Sequence, residues 1–150
     1  MKLFIDSSAL VKFFHKEEGS QRVTELIVSE DNEIWISEIA GVEFLSAVTR
    51  RFRNKEIDEE NLNNAISGFE EQLSTFNVEP VGHAIIKETE SLIKQHGKSQ
   101  GLRTLDALHL GTFNLIAEKD WVFVAADETL CKAVHQMGYS FINPLEDQRQ

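Results

Sequence analysis

The stretch Lys2-Leu3-Phe4-Ile5-Asp6-Ser7-Ser8-Ala9-Leu10 carries a run of strand character that stops at an aspartate and passes at once into a helical pattern. The same order returns in Trp121-Val122-Phe123-Val124-Ala125-Ala126-Asp127-Glu128-Thr129-Leu130. Reading outward, Glu33 to Ile36, Asn77 to Val81 and Tyr139 to Asn143 are further strand-like runs, with Lys2 to Ile5 first and Trp121 to Ala125 fourth in chain order. Short strands alternating with helical patterns from end to end mark βα units and a largely parallel sheet, so the expected fold class is α/β. Pro80 lacks a ladder N–H, which predicts that the third strand lies at a sheet edge.

The helical patterns are of two kinds. Leu62, Ala65, Ile66, Phe69, Leu73 and Phe76 recur at the three-and-four spacing of a helix packed by one face, and Glu59, Glu60, Glu70 and Glu71 form its solvated side. Ile85, Ile86, Thr89, Leu92, Ile93 and His96 repeat the pattern, with Gly97 placed where a helix stop tolerates positive φ. A shorter helix is read between Ser20 and Ser29. Two more, from about Thr104 to Glu118 and from about Glu38 to Phe52, are apolar on nearly every side and are expected to be central and buried. Each carries one acid among apolar neighbours, Asp106 and Glu43. Leu10, Phe13 and Phe14 read as core.

At 150 residues the chain is expected to be one domain spanning 1–150, long enough to bury roughly 70% of the surface of its unfolded form. Twenty-five acidic residues against fifteen basic ones give a net charge of −10, which repels a polyanion at long range. A nucleic-acid partner would therefore need bound cations or a local basic patch. The densest patch is Arg50, Arg51, Arg53 and Lys55, which equally ends a helix, where cations complement the dipole. The segment 97–101, with Lys98 inside it and Arg103 just beyond, is read as a loop at a mobile rim. Asp6 precedes any apolar stretch of signal-peptide length and no run approaches the ~20 residues of a membrane span, so the expected localisation is cytoplasmic, with no membrane partner. Cys131 is the single cysteine, which excludes an intrachain disulfide and a cysteine-rich metal site and fits a reducing compartment.

The acids carry the chemistry. Glu43 has Ile39, Ala40, Ser46 and Ala47 as its three-and-four neighbours, so no cation on its own helix offsets it. Asp106 stands beside Arg103 and His109, and pairing with Arg103 alone would account for it. Asp6 and Asp127 have a plain reading as helix N-caps. They also have a sharper one, because the carboxyl ends of strands in an open parallel sheet border the ligand crevice. Two carboxylates ~5 Å apart at an effective dielectric near 20 repel by about 3 kcal/mol, and four cost more. Either protons are shared, raising some pKa values, or a divalent cation compensates. Oxygen-only ligands suit Mg²⁺ or Mn²⁺, and such an ion orients and acidifies a water and stabilises charge on a phosphoryl oxygen, the chemistry of phosphodiester hydrolysis.

Phe4-Ile5-Asp6-Ser7-Ser8-Ala9-Leu10, Ser37-Glu38-Ile39-Ala40-Gly41-Val42-Glu43-Phe44-Leu45, Leu102-Arg103-Thr104-Leu105-Asp106-Ala107-Leu108-His109-Leu110 and Phe123-Val124-Ala125-Ala126-Asp127-Glu128-Thr129-Leu130 together resemble a PIN-domain nuclease. The likeness is strongest to the VapC-like ribonuclease toxins of type II toxin–antitoxin systems and runs from Lys2 to about Pro144. It implies a three-layer α/β/α PIN-like domain with a five-stranded parallel sheet of order 3-2-1-4-5. It further implies Mg²⁺- or Mn²⁺-dependent RNA cleavage leaving a 5′ phosphate, a homodimer, and a cognate antitoxin that blocks the pocket. Carried over by position, Asp6, Glu43 and Asp106 look like the primary metal ligands and Asp127 like a second-site or water-mediated one. Ser8 is similar to the small polar residue that supports such sites, although helix capping explains it equally. His109 either donates to the acids or is a satisfied interior histidine, and the second is the plainer reading.

Two other functions compete. A non-catalytic PIN-like interaction module would use the acids for a structural cation or a partner arginine. A receiver- or phosphatase-type phosphoryl-transfer domain also uses strand-end carboxylates with Mg²⁺. It is disfavoured because Ser8 stands where a second acid would follow Asp6, and because no strand-end lysine presents itself.

Overall fold

The computed structural model describes residues 1–146. In chain order the elements are β1 (Lys2–Ile5), α1 (Ser7–Phe14), α2 (Ser20–Val28), β2 (Glu33–Ser37), α3 (Ile39–Arg53) and α4 (Glu59–Leu73). They continue with β3 (Asn77–Glu79), α5 (His83–Gln100), α6 (Thr104–Ile116), β4 (Val122–Val124), α7 (Glu128–Gln136) and β5 (Ser140–Ile142). The strands form one five-stranded sheet in the order β3-β2-β1-β4-β5, and every neighbouring pair is parallel. In register, Phe4 of β1 lies opposite Trp35 of β2 and Phe123 of β4.

Successive side chains of a strand point to opposite faces, and β1 shows what that does to the core. Leu3 and Ile5 join one buried cluster with residues of α1 to α4, among them Leu10, Val23, Phe44 and Phe69. Phe4 joins a second cluster with Leu92 of α5, Leu110 and Phe113 of α6, and Leu130 and Val134 of α7. Helices therefore cover both faces of the sheet, giving the three-layer α/β/α PIN-like architecture. Phe13 and Phe14 pack half-buried against the first cluster.

Three expectations need correction. Gly97 does not stop α5, which runs on to Gln100 and ends on Gly101 at φ 60°. The segment 97–101 is thus mostly the last turn of a helix rather than a loop. Third, α3 is not buried all round: only Ala40, Phe44 and Val48 are buried, at i, i+4 and i+8, while Val42 is 70% exposed and Leu45 and Phe52 are exposed too. A helix laid on one face of a sheet buries one stripe, whatever its other sides contain. The companion helix α6 is closer to expectation, burying Ala107 and the run His109 to Phe113, with Leu105 and Leu115 still exposed. Pro80 falls just past β3, which is the edge strand. Among the described residues no helix is long and apolar enough to cross a membrane.

Candidate active site

The chain leaves β1 toward β2 on one side and later returns to place β4 on the other, so the strand order reverses between β1 and β4. In parallel sheets the crevice outside the carboxyl ends at such a point is where ligands bind. Asp6 follows β1 and Asp127 follows β4, at that crevice. Asp6 is buried, 1% exposed, and its Oδ1 accepts from Ala9 N at 3.2 Å and from Ser8 Oγ at 2.7 Å. Ser8 Oγ in turn accepts from Ala126 N at 2.9 Å, so one hydroxyl joins the β1–α1 turn to the β4–α7 turn. Asp127 Oδ1 accepts from Leu130 N at 2.9 Å and caps α7. The capping reading of both aspartates is therefore correct, and it engages one oxygen of each, leaving the other for a ligand.

Glu43 and Asp106 reach the same end of the sheet from α3 and α6. Glu43 Oε1 accepts from Ser7 Oγ at 3.0 Å and lies 2.5 Å from His109 Nε2, which is itself 3.1 Å from Ser7 Oγ. His109 is thus in contact with one of the acids, Glu43, contrary to the plainer expectation, and its Nδ1 is buried without a partner. Ser7 was not singled out by the sequence beyond its place in the Asp6 segment; its only signal was that it opens the helix Asp6 caps. Arg103 Nε lies 3.4 Å from Asp106 Oδ2 with the arginine side chain 81% exposed, a geometry that gives weak, screened compensation.

The ionisation pattern follows. Burial pushes the Asp6 carboxyl up to about 6, with Asp106 adding to the rise against the lowering effects of His109, Ser8 and the Ala9 amide. Burial also raises Asp106, opposed by Arg103 and helped by Asp127. Glu43 is lowered: burial alone would raise it, but the hydrogen bond and charge of His109 and the Ser7 hydroxyl outweigh that. Asp6 thus feels the charge of Asp106, and Asp106 that of Asp127, while Glu43 is turned onto His109 and Ser7.

Among the described residues no three Asp, Glu, His or Cys side chains form a ready-made cation cage. The donor chemistry nevertheless fits a hard divalent ion. Asp6 is a buried carboxyl with no Lys or Arg partner among the described residues and with a second acid beside it, and a cation is what would favour its charged form. The basic cluster lies apart, with Arg50, Arg51 and Arg53 in the last turn of α3 and Lys55 just beyond it. None of these four is in an ion pair among the described residues. Arg53 and Lys55 line a surface cleft with Phe52, Ile57, Asp58 and Asn61.

A PIN domain profile matches residues 3–135, and the chain belongs to the PIN domain family. No curated relative matches it. Among solved structures it is similar to FitAcB from Neisseria gonorrhoeae, with a TM-score of 0.71 at 13% identity over 95% of this chain and 97% of that one. It is similar also to Mycobacterium tuberculosis VapC20, described as a sarcin-ricin loop cleaving toxin, with a TM-score of 0.67 at 15% identity over 87% and 94% of the two chains. VapBC-1 from nontypeable Haemophilus influenzae gives 0.66 at 12% identity over 97% and 100%. At such identities the likeness is one of fold.

Proposed function

We propose that this PIN-domain chain is an Mg²⁺- or Mn²⁺-dependent endoribonuclease that hydrolyses RNA phosphodiester bonds and serves as the toxin of a toxin–antitoxin pair. One observation carries it: a buried Asp6 at the switch point of the sheet, raised to about 6, with Asp106 near and no Lys or Arg partner among the described residues. When bound, the cation would orient and acidify a water and offset charge on the phosphoryl group. Asp6, Glu43 and Asp106 would hold it, with Asp127 acting at a second position or through a water. Ser8 fixes Asp6 Oδ1 and so leaves Oδ2 to face the ligand. Arg50, Arg51, Arg53 and Lys55 supply the local positive charge that RNA needs to approach a chain of net charge −10.

Purified protein is expected to cleave RNA with Mg²⁺ or Mn²⁺, to leave 5′ phosphates, and to stop when a chelator is added. Asp6→Asn should abolish cleavage, and full activity in that variant would remove the mechanism. The VapBC and FitAB neighbours support a cognate antitoxin, to be sought as the product of an adjacent reading frame that co-purifies with the chain. A single domain spanning 1–150, a homodimer and a cytoplasmic location belong to the same proposal, and light scattering of the purified chain measures the second.

A non-catalytic module is favoured by one observation, that Glu43 and Asp106 already have protein partners and no cage is preformed. An arginine from a partner would then take the cation's place. RNA left intact under every metal tested, together with tight partner binding, would select this second function.

A further inference from the structure

His109 lies on α6 one turn after Asp106 and is 1% exposed. Its Nε2 is 2.5 Å from Glu43 Oε1 and 3.1 Å from Ser7 Oγ, and its Nδ1 is buried with no partner. We propose that His109 is a positioning residue whose Nε2–H clamps Oε1 of Glu43, with Ser7 as a second clamp, so that Oε2 is the oxygen Glu43 presents to a divalent cation. This rests on the metal-dependent function proposed above.

Glu43 needs such a clamp. Its side chain is 24% exposed, has three rotatable bonds and finds no cation on its own helix. Ordering a free glutamate costs up to about 2 kcal/mol of rotamer entropy, which a binding site otherwise loses from its affinity. Two donors on one oxygen, from α1 and from α6, remove that freedom before any ligand arrives. The proton belongs on Nε2 for a separate reason. A buried N–H without an acceptor is costlier than a buried lone pair without a donor, and Nδ1 is the nitrogen without a partner. The same geometry excludes His109 as a metal ligand, since Nε2 is taken by Glu43 and Nδ1 is enclosed. Asp106 and His109 are three residues apart and share a helix face, so α6 supplies one acid and fixes the position of another on α3.

The test is Mn²⁺ titration calorimetry on the full chain, with thermal melts as the control for folding. His109→Phe keeps the ring and removes the donor, whereas His109→Gln places an amide N–H at a similar reach. Loss of an outer hydrogen bond to a metal ligand typically weakens affinity by about 10–100-fold, the loss expected for His109→Phe, with most of it recovered in His109→Gln. Ser7→Ala should give a smaller loss in the same direction. Should His109→Phe fail to fold, His109→Asn, whose amide is too short to reach Glu43, takes its place. Ring ¹⁵N shifts of the wild-type protein read the tautomer directly and should show the proton on Nε2. Wild-type affinity in His109→Phe, affinity in His109→Gln as weak as in His109→Phe, or an Nε2 that carries no proton would each overturn the clamp while leaving the nuclease function intact. A wild-type chain that binds no Mn²⁺ overturns both together.

Discussion

Asp6 has a stability consequence set by the sign of its shift. Its folded pKa of about 6 lies above the unfolded 3.8, so the fold gains from the protonated form. That gain is complete below 3.8 and is lost as pH rises through 6, on the order of 3 kcal/mol in all. Glu43 has the opposite sign, its contribution being present above its ordinary value of 4.5 and lost as pH falls through its lowered folded pKa. Between pH 4.5 and 6 Asp6 therefore dominates of the two, and the metal-free protein should lose stability across that window. Asp6→Asn keeps an acceptor for Ala9 N and should melt higher than the wild type at pH 7 in chelator, with a flatter pH profile. Melting curves of both proteins from pH 4 to 8 check this, and a lower melting point for Asp6→Asn would contradict it. Ser8→Ala strands the Ala126 amide and should cost about 1–3 kcal/mol in denaturant unfolding.

At the scale of elements, the contact of α5 with α6 decides how exactly two site residues are placed. A methyl group at Gly111 of α6 would collide with Thr89 Oγ1 of α5, and Thr89 is held in place by its bond to Ile85 O at 2.7 Å. Gly111→Ala should destabilise the fold by about 1–3 kcal/mol in urea unfolding, with Thr89→Ala in the same chain recovering part of the loss. Because α6 carries Asp106 and His109, cleavage by Gly111→Ala should also fall at temperatures where the variant remains folded. At the end of α3, Arg50→Gln and Arg53→Gln separate two roles. Loss of the dipole complement would cost stability by about 0.3–1 kcal/mol each. Loss of a phosphate contact would raise KM for RNA and lower the slope of log affinity against log salt by about 0.7 for each contact. An unchanged salt slope in both variants would assign the cluster to helix capping alone.

For the molecule as a whole, a net charge of −10 and an acid raised by burial at the crevice are the features through which the proposed divalent cation would stabilise the fold. At a hundred times its Kd, Mn²⁺ should add about 2.7 kcal/mol. For a chain of this length that is a rise in Tm of roughly 5–10 °C. Scanning calorimetry with and without Mn²⁺ measures it, and Asp6→Asn should show little of the rise. An equal rise in both proteins would place the ion elsewhere on the acidic surface.

Local sequence determined the order of strands and helices, because periods of two and of three to four residues are written within a few residues of each other. It pointed to the third strand as an edge, although Pro80 itself lies just past β3 and its missing N–H is not in the ladder, and it named the four acids. Whether Gly97 or Gly101 ends α5 was beyond it, since both satisfy the local rule and α5 continues past the first. The exposed side of α3 was equally hidden: Val42, Leu45 and Phe52 are as apolar as Phe44 and Val48, and only the position of the sheet tells them apart. Ser7, Glu43 and His109 are separated by 36 and 66 residues, and no spacing rule joins them. Three helices packed around the end of a parallel sheet bring those side chains to one oxygen, because contacts between distant segments exist only once the layers have closed.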